Sequence, residues 1–139
     1  MKVYFSCSVS GGRQDLPVFK ELIAFLQSEG HSVPTEYLGE DDLMEQLAPM
    51  SAQEIFEQDV SWLKDSDAIV AEVSTPSHGV GYEIALALVL AKPVLSLYQS
   101  GKNVSAMISG NTHPSFRIRS YETMDEAKAL IREFLAGNL

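Results

Sequence analysis

Residues 67–91, DAIVAEVSTPSHGVGYEIALALVLA, hold the pattern that decides the fold. The apolar run at 67–73 is typical of a strand buried on both faces, as in parallel sheets. A loop is expected at 74–79, and an almost wholly apolar helix at 80–91. A strand, a short loop and a helix in this order predict part of a β-α-β unit, the building block of α/β proteins.

The same alternation continues in both directions along the 139 residues. Strands are predicted at 2–9, 31–37 (a weak one), 67–73, 93–98 and 115–120. Further helices are predicted after the cap Asp15, from the capping boxes Ser51–Glu54 and Thr123–Glu126, and briefly at 103–109, with an acidic loop at 38–50. This order predicts a parallel sheet of five strands covered by helices on both faces. The length predicts one domain, 1–139.

Composition excludes several classes of protein. Ten Lys and Arg against 19 Asp and Glu give a net charge of −9, which disfavours nucleic-acid and anionic-membrane partners. The longest apolar run, 84–91, is shorter than the ~18 residues of a membrane span. One cysteine and three scattered histidines predict neither a disulfide nor a metal site. No signal peptide is recognised at the start. We therefore expect a reduced, cytoplasmic protein without a metal.

A glycine-containing loop follows the first predicted strand. In parallel sheets, ligands bind beyond the carboxyl ends of the strands. Gly11 and Gly12 would let backbone N–H groups approach an anion before a helix N-terminus, with hydroxyls from Ser8 and Ser10 and charge from Arg13. A phosphate cradle and a flexible turn are equally consistent with this loop. The loop lacks the patterns of nucleoside-triphosphate and dinucleotide sites.

Two carboxylates are anomalous. Glu83 is the single charged residue of the apolar segment 79–90, and a buried ionised carboxylate is costly unless it is paired. It is either a capping carboxylate or a nucleophile or base, and its place beside a loop favours function. At ~100° per residue, Asp59 falls inside the apolar arc of its helix, which indicates a structural hydrogen bond or a site acid. If Glu83 is near, we expect it to raise the pKa of Asp59.

Three further residues have plainer interpretations. Tyr4 on the first strand is expected in the core, although it could face the site. A salt bridge is expected for Glu72 at the end of its strand. Cys7 has no basic partner nearby in the sequence, so a buried, inert thiol is the better interpretation.

Four segments together resemble a known family. They are 4–13 (YFSCSVSGGR), 57–63 (EQDVSWL), 71–83 (AEVSTPSHGVGYE) and 104–108 (VSAMI). Their order and spacing are similar to the 2'-deoxynucleoside 5'-monophosphate N-hydrolases, within the nucleoside 2-deoxyribosyltransferase superfamily. The resemblance covers nearly the whole chain, and its most specific part is the run PSHGVGYE.

The resemblance implies a flavodoxin-like (Rossmann-like) three-layer α/β sandwich. It implies hydrolysis of the N-glycosidic bond to free base and 2-deoxyribose 5-phosphate, without a cofactor. On the matching positions, Glu83 is the nucleophile that forms a glycosyl ester at C1', and Asp59 assists the departing base. Tyr4 positions the nucleophile and crowds the sugar. An oxocarbenium-like transition state needs carboxylates in these two roles.

The resemblance also implies the substrate-binding residues. It implies a homodimer with shared active sites, in which Ser105 reaches the phosphate of the other subunit. The family pattern has glycine where Cys7 stands, arginine where Ser10 stands and histidine where Tyr37 stands, so phosphate affinity and base preference are expected to differ. The implied substrate contacts are Cys7, Ser8, Val9, Ser10, Gly11, Gly12, Arg13, Tyr37, Ser77, Gly79, Ser105 and Met107.

Two classes of function remain open at this point. One is an N-glycosidase, with a 2-deoxyribosyltransferase or a hydrolase of CMP-like ribonucleotides as near alternatives. The other is a non-catalytic flavin- or nucleotide-binding module on the same fold. The position of Asp59 in an apolar arc favours an enzyme, because a carboxylate there is costly without a use.

Overall fold

A computed structural model describes residues 1–139, and its centre is one parallel sheet of four strands. The strands follow one another across the sheet in chain order. Along the row that runs through the middle of the sheet, Ser6 pairs with Ala71 and Ala71 with Ser96. The strands are β1 (Val3–Ser6), β2 (Ala68–Glu72), β3 (Val94–Gln99) and β4 (Phe116–Tyr121).

Helices cover both faces of this sheet, as the sequence predicts. The helices are α1 (Leu16–Ser28), α2 (Leu43–Leu47), α3 (Ala52–Asp65), α4 (His78–Val89), α5 (Ala106–Ser109) and α6 (Met124–Leu135). Both predicted capping boxes are present, at the starts of α3 and α6. No helix is both long and apolar enough to span a bilayer.

The alternation of side chains along β1 assigns the two faces. Val3 and Phe5 belong to the core under α1 and α6, whereas Tyr4 belongs to the core under α3 and α4. Because residues two apart on a strand face the same way, Ser6 points to the same side as Tyr4. The face of the sheet that carries α4 therefore also receives the even-numbered side chains of β1.

The predicted fifth strand at 31–37 is absent. Only an isolated parallel bridge between Lys2 and Ser32 remains of it. Pro34 has no N–H to donate to a strand ladder. Next to it, the Thr35 hydroxyl makes the hydrogen bonds that a neighbouring strand would make with Phe5: it donates to the Phe5 carbonyl (2.7 Å) and accepts from the Phe5 N–H (3.1 Å). The chain then turns into a 3₁₀ turn at Glu36–Gly39. The sheet has four strands rather than five because the Thr35 side chain, and not a fifth strand, forms the hydrogen bonds with Phe5 at the edge of β1.

Smaller departures concern helix ends. The segment predicted as an irregular loop at 38–50 contains α2, and α4 begins at His78 rather than at residue 80. The Ser77 hydroxyl caps α4 by accepting from the N–H of Val80. Asp15 precedes α1 but does not cap it; its carboxylate accepts instead from Thr75 and Gln99.

Two loops at the carboxyl ends of β1 and β2 lie against each other. A Cβ at Gly11 would lie 2.4 Å from the carbonyl oxygen of Pro76, so only glycine fits there without movement. The Gln14 amide donates to the Thr75 hydroxyl at 3.0 Å, which fastens the same two loops by their side chains. These contacts bring the glycine-containing loop next to the start of α4.

Candidate active site

Glu83 lies in the first turns of α4 and points at β1. The Tyr4 hydroxyl donates to its Oε1 at 2.8 Å, and the Ser6 hydroxyl donates to its Oε2. Both donors are on a strand whose side chains are almost wholly buried. Each carboxylate oxygen thus has one fixed hydroxyl donor, and the Glu83 side chain has a defined orientation.

Burial dominates the electrostatics of Glu83. Loss of solvation raises its pKa from the ordinary 4.5 to about 7, while the hydrogen bonds from Ser6 and Tyr4 oppose the rise and the charge of Asp59 adds to it slightly. Burial also raises the pKa of Tyr4, and the neighbouring Glu83 raises it further, so this phenol stays protonated as a donor. The site holds a carboxylate that titrates near neutral pH.

Asp59 is partly buried on α3, and the Tyr37 hydroxyl reaches its Oδ1 at 3.3 Å. The Tyr37 ring also packs edge-on against Trp62, with ring centroids 5.8 Å apart. Burial raises the pKa of Asp59, and the hydrogen bond from Tyr37 opposes that rise. The pKa of Asp59 is raised as expected, but burial and not the charge of Glu83 is the cause. The charge of Asp59 in turn raises the pKa of Glu83.

One cavity of about 550 Å³ brings the two carboxylates together at the carboxyl end of the sheet. Of the residues predicted to form the site, Cys7, Val9, Ser10, Tyr37, Asp59, Ser77, Gly79 and Glu83 line it. No lysine or arginine is among the lining residues. The rest of the wall is apolar and comes mainly from the segment before and within α3: Leu38, Met44, Leu47, Ala48, Met50, Ile55 and Val80.

Other predicted residues lie beside this cavity without lining it. Ser8 is fully buried, and its hydroxyl has no hydrogen-bond partner. Gly11 and Gly12 form the turn behind it. Arg13 donates through Nη2 to the carbonyls of Leu38 (2.7 Å) and Glu40 (3.2 Å), while its Nη1 is buried without a partner. Arg13 therefore clamps the 3₁₀ turn, and a contact with phosphate stays a prediction.

Ser105 and Met107 line a different cavity, of about 530 Å³, which adjoins the first one at Ser77. Ser105 caps the short helix α5, and Met107 is 82% exposed. Within one copy of the chain, neither residue lines the cavity that holds the carboxylates.

The structure agrees with the expectation for Cys7 and differs from the one for Glu72. The Cys7 thiol is buried, and desolvation raises its pKa to about 12, as expected for an inert thiol. The salt bridge expected for Glu72 is wrong. Its carboxylate is buried and accepts from the Ser74 hydroxyl, the Ser74 N–H (3.1 Å) and the Tyr121 hydroxyl (2.9 Å). The end of β2 is buried, so the Glu72 carboxylate accepts hydrogen bonds from the neutral groups of Ser74 and Tyr121 instead of pairing with a basic side chain.

Sequence reasoning missed Ser6. A serine inside an apolar strand carries no signal by itself, but the period of two along β1 places it on the same face as Tyr4. Once Tyr4 is assigned to the site, that period points to Ser6 as well.

The chemistry available is that of two carboxylates in a largely apolar cavity. No group of three or more His, Cys, Asp or Glu side chains is arranged to hold a metal ion. Glu83 can act as a nucleophile or base when ionised, and Asp59, with its raised pKa, can act as an acid. Enzymes that cleave glycosidic bonds typically use two carboxyl groups in these roles.

We predict that Glu83→Gln stabilises the protein above neutral pH. The pKa of Glu83 is higher in the folded than in the unfolded state, so the native protein loses stability as pH rises from 4.5 through about 7. Glutamine cannot ionise and avoids this loss. Relative to the unmodified protein, its free energy of unfolding should therefore gain about 3 kcal/mol between pH 4 and pH 8. Urea denaturation at both pH values measures this, and an equal difference at both would contradict the assignment.

Comparison with known proteins places the chain in a family. The family model described as nucleoside 2-deoxyribosyltransferase matches residues 3–131. The 5-hydroxymethyl-dUMP N-hydrolase of Danio rerio is 39% identical over 138 residues, covering 96% of this chain and 95% of the relative. A Thermofilum pendens protein, provisionally named 2'-deoxynucleoside 5'-phosphate N-hydrolase 1, is 40% identical over 141 residues, covering 100% and 98%.

Solved structures share the fold at lower identity. The Clostridium botulinum CMP N-glycosidase superposes with a TM-score of 0.71 at 23% identity, covering 96% of this chain and 99% of the other. A 2-deoxyribosyltransferase of Bacillus psychrosaccharolyticus gives a TM-score of 0.65 at 20% identity, covering 92% and 90%. The expected α/β sandwich is confirmed, with four strands in its sheet. This chain belongs to the nucleoside 2-deoxyribosyltransferase family and, by its most similar relatives, to the branch of the 2'-deoxynucleoside 5'-phosphate N-hydrolases.

Proposed function

We propose that this enzyme hydrolyses the N-glycosidic bond of (deoxy)nucleoside 5'-monophosphates, releasing free base and (deoxy)ribose 5-phosphate. The observation that carries the proposal is the pair of carboxylates, Glu83 and Asp59, on one cavity. The names of relatives about 40% identical over nearly the whole chain support the same reaction. The cavity, at about 550 Å³, lies within the usual range for a small-molecule ligand site.

In the first step, ionised Glu83 attacks C1' of the sugar. The new C1'–O bond forms as the C1'–N bond breaks, and the bonding electron pair leaves with the base. Asp59, in its protonated form, gives its proton to the departing base. The hydrogen bond from Tyr4 holds one carboxylate oxygen of Glu83 during the attack. The product is a glycosyl ester on Glu83.

In the second step, water attacks C1' of that ester. Asp59, now ionised, takes a proton from the water, and the C1'–O bond to Glu83 breaks. Both carboxyl groups return to their starting states, and the sugar leaves with a hydroxyl at C1'. No cofactor takes part in this sequence, in which the same two residues serve both steps.

We predict that Glu83→Ala lowers release of free base by about 1,000-fold or more, because the nucleophile is lost. Asp59→Asn should lower the rate by about 100-fold or more, because no group can then protonate the base. Chromatography of free base from a panel of nucleosides and 5'-monophosphates measures both. Glu133→Ala, which removes an exposed carboxylate on α6, is the matched control.

The same panel separates the alternatives. Near-normal turnover by Glu83→Ala would contradict the covalent mechanism. Transfer of the sugar to an added free base would assign a deoxyribosyltransferase, the reaction after which the family model is named. Binding without any release of base, or a bound flavin, would assign a non-catalytic module.

Phosphate recognition in this chain is proposed to lack a cation in the cavity. Ser10 lines the cavity at the position where the resembled family pattern has arginine. Arg13, the one cation of the loop, does not line the cavity and donates through Nη2 to backbone carbonyls. Backbone N–H groups of the loop and the Ser77 hydroxyl are then the available donors. A phosphate held in this way contributes less to discrimination against the nucleoside.

We predict that Ser10→Arg tightens 5'-monophosphate binding by about one to two decades and leaves nucleoside binding unchanged. The reason is a new charge-assisted hydrogen bond at the phosphate. Calorimetric titration of both ligands measures it. Ser120→Arg, on β4 at the opposite edge of the sheet, controls for the added charge. Equal effects on both ligands, or none, would place Ser10 away from the phosphate.

The active unit is proposed to be a homodimer, in which Ser105 of a second copy completes the site. Large apolar side chains are exposed on neighbouring helices: Tyr82 (53%) and Val89 (83%) on α4, and Met107 (82%) on α5. Such an apolar surface is typical of an interface between subunits. The cavity that holds Ser105 opens beside Ser77, which it shares with the cavity of the carboxylates. A cytoplasmic location stays a prediction.

We predict a dimer in sedimentation velocity, and a monomer with at least tenfold lower turnover for Val89→Lys. A charge at this 83%-exposed position costs little in the monomer but would be buried in the proposed dimer. Ala129→Lys, exposed on α6, should change neither property. A monomeric protein with full activity would contradict the shared site.

A further inference from the structure

Ser6 is fully buried in β1, and its hydroxyl donates to Oε2 of Glu83. Its neighbours on the same face of the sheet are the apolar Ile69 and Ala71 and the polar Tyr4. A hydroxyl in such surroundings is costly unless it is bonded. Its one side-chain partner is the carboxylate proposed as nucleophile.

From this geometry we propose that Ser6 is a positioning residue for Glu83: it holds Oε2 and stabilises the ionised carboxylate that attacks C1'. The proposal rests on the function given above, in which Glu83 is the nucleophile. Tyr4 holds the other oxygen, so the two hydroxyls fix the plane of the carboxylate between them. With a second lone pair on each oxygen, the carboxylate can still attack.

The two donors are not equivalent. The ring of Tyr4 also packs in the core under α3 and α4, so replacing it changes packing as well as the hydrogen bond. The Ser6 side chain contributes little volume, and its removal leaves the packing nearly unchanged. Ser6 therefore allows the hydrogen bond to be tested almost by itself.

Four titratable side chains surround Glu83, and any of them that changes charge would also change the pKa of Glu83. Tyr4 approaches from β1, Cys7 from the loop that follows β1, Asp59 from α3 and Tyr37 from the 3₁₀ turn. Burial raises the pKa of the thiol to about 12 and raises those of both phenols, so these three groups stay neutral in the working range. Asp59 is then the one neighbour whose charge changes at lower pH.

The hydrogen bond from Ser6 lowers the pKa of Glu83, and this sets the direction in which the Ser6→Ala substitution changes that pKa. An O–H donated to a carboxylate favours its ionised form, so loss of the Ser6 hydroxyl raises the pKa of Glu83 above its present value of about 7. In the proposed reaction Glu83 is ionised while Asp59 holds a proton, and this form is lost when pH rises through the pKa of Glu83 and leaves both groups ionised. The alkaline limb of turnover therefore reports the pKa of Glu83. Removing the Ser6 hydroxyl moves this limb to higher pH, and below it the proton lies more often on Glu83, so turnover falls.

The experiment is the pH dependence of kcat/KM for Ser6→Ala. We expect its alkaline limb to lie about one to two pH units above that of the unmodified enzyme. Turnover at pH 6 should fall by about tenfold or more, and the two enzymes should converge at high pH. Ser6→Cys, which keeps a weak donor, should give an intermediate limb.

Ser96→Ala is the matched control. Ser96 lies in the same row of the sheet, two strands away, is equally buried, and its hydroxyl has no partner. Its replacement tests the cost of removing a buried hydroxyl without touching Glu83. If Ser6→Ala keeps the alkaline limb of the unmodified enzyme, or moves it no more than Ser96→Ala does, the proposal is overturned.

A second measurement separates this proposal from the proposed function. The carbon-13 resonance of the Glu83 carboxyl, followed by NMR without substrate, gives its pKa in each variant directly. An upward change in Ser6→Ala supports the contact with Glu83 even if no substrate in the panel is cleaved. An unchanged pKa overturns it even if the enzyme is active.

Discussion

The burial of the Glu83 carboxylate is the constraint on which the rest of the site depends. A charge in an apolar surrounding needs fixed donors, and β1 supplies two hydroxyls for it. Those donors require the alternation of a strand, and the strand requires a sheet buried on both faces. The apolar helix α4 that carries Glu83 is packed close enough to receive them. The hydrogen bonds of Glu83 therefore depend on the same packing of β1 and α4 that forms the apolar core.

The second carboxylate is held in a looser way. Asp59 lies on a different helix from Glu83, is partly exposed, and accepts a long hydrogen bond, of 3.3 Å, from Tyr37. A proton carrier needs such freedom, since both its charged and its neutral forms must be accommodated during turnover. Glu83 is the more deeply buried of the two, and burial raises its pKa to about 7, so its ionised form depends on the hydroxyls of Tyr4 and Ser6.

Much of the fold was predictable from the sequence, because buried parallel strands and capping boxes leave strong local patterns. The strands at 67–73 and 93–98 and the helix from Ser51 lie within a few residues of their predicted bounds. Glu83 and Asp59 were recognisable since a carboxylate among apolar residues is an anomaly wherever the chain folds. The most specific motif, PSHGVGYE, places Glu83 beside a loop.

What the sequence could not supply depends on contacts between distant segments. The weak strand at 31–37 is missing because Thr35 bonds to Phe5 through its side chain, and no periodicity encodes that choice. The partners of Arg13 are backbone carbonyls that lie 25 and 27 residues further along. Glu72 shows the same limit, since its donor Tyr121 comes from another strand. Each of these outcomes is decided by packing rather than by local preference.

Thr35 has a mechanical consequence for the whole centre. Its hydroxyl clasps the outer edge of β1, the strand that orients Glu83, and it directly precedes the 3₁₀ turn that carries Tyr37 to Asp59. The same residue is therefore joined to the supports of both carboxylates. A displacement of Thr35 would therefore move β1 and the 3₁₀ turn together, and with them the hydrogen bonds that Glu83 and Asp59 accept.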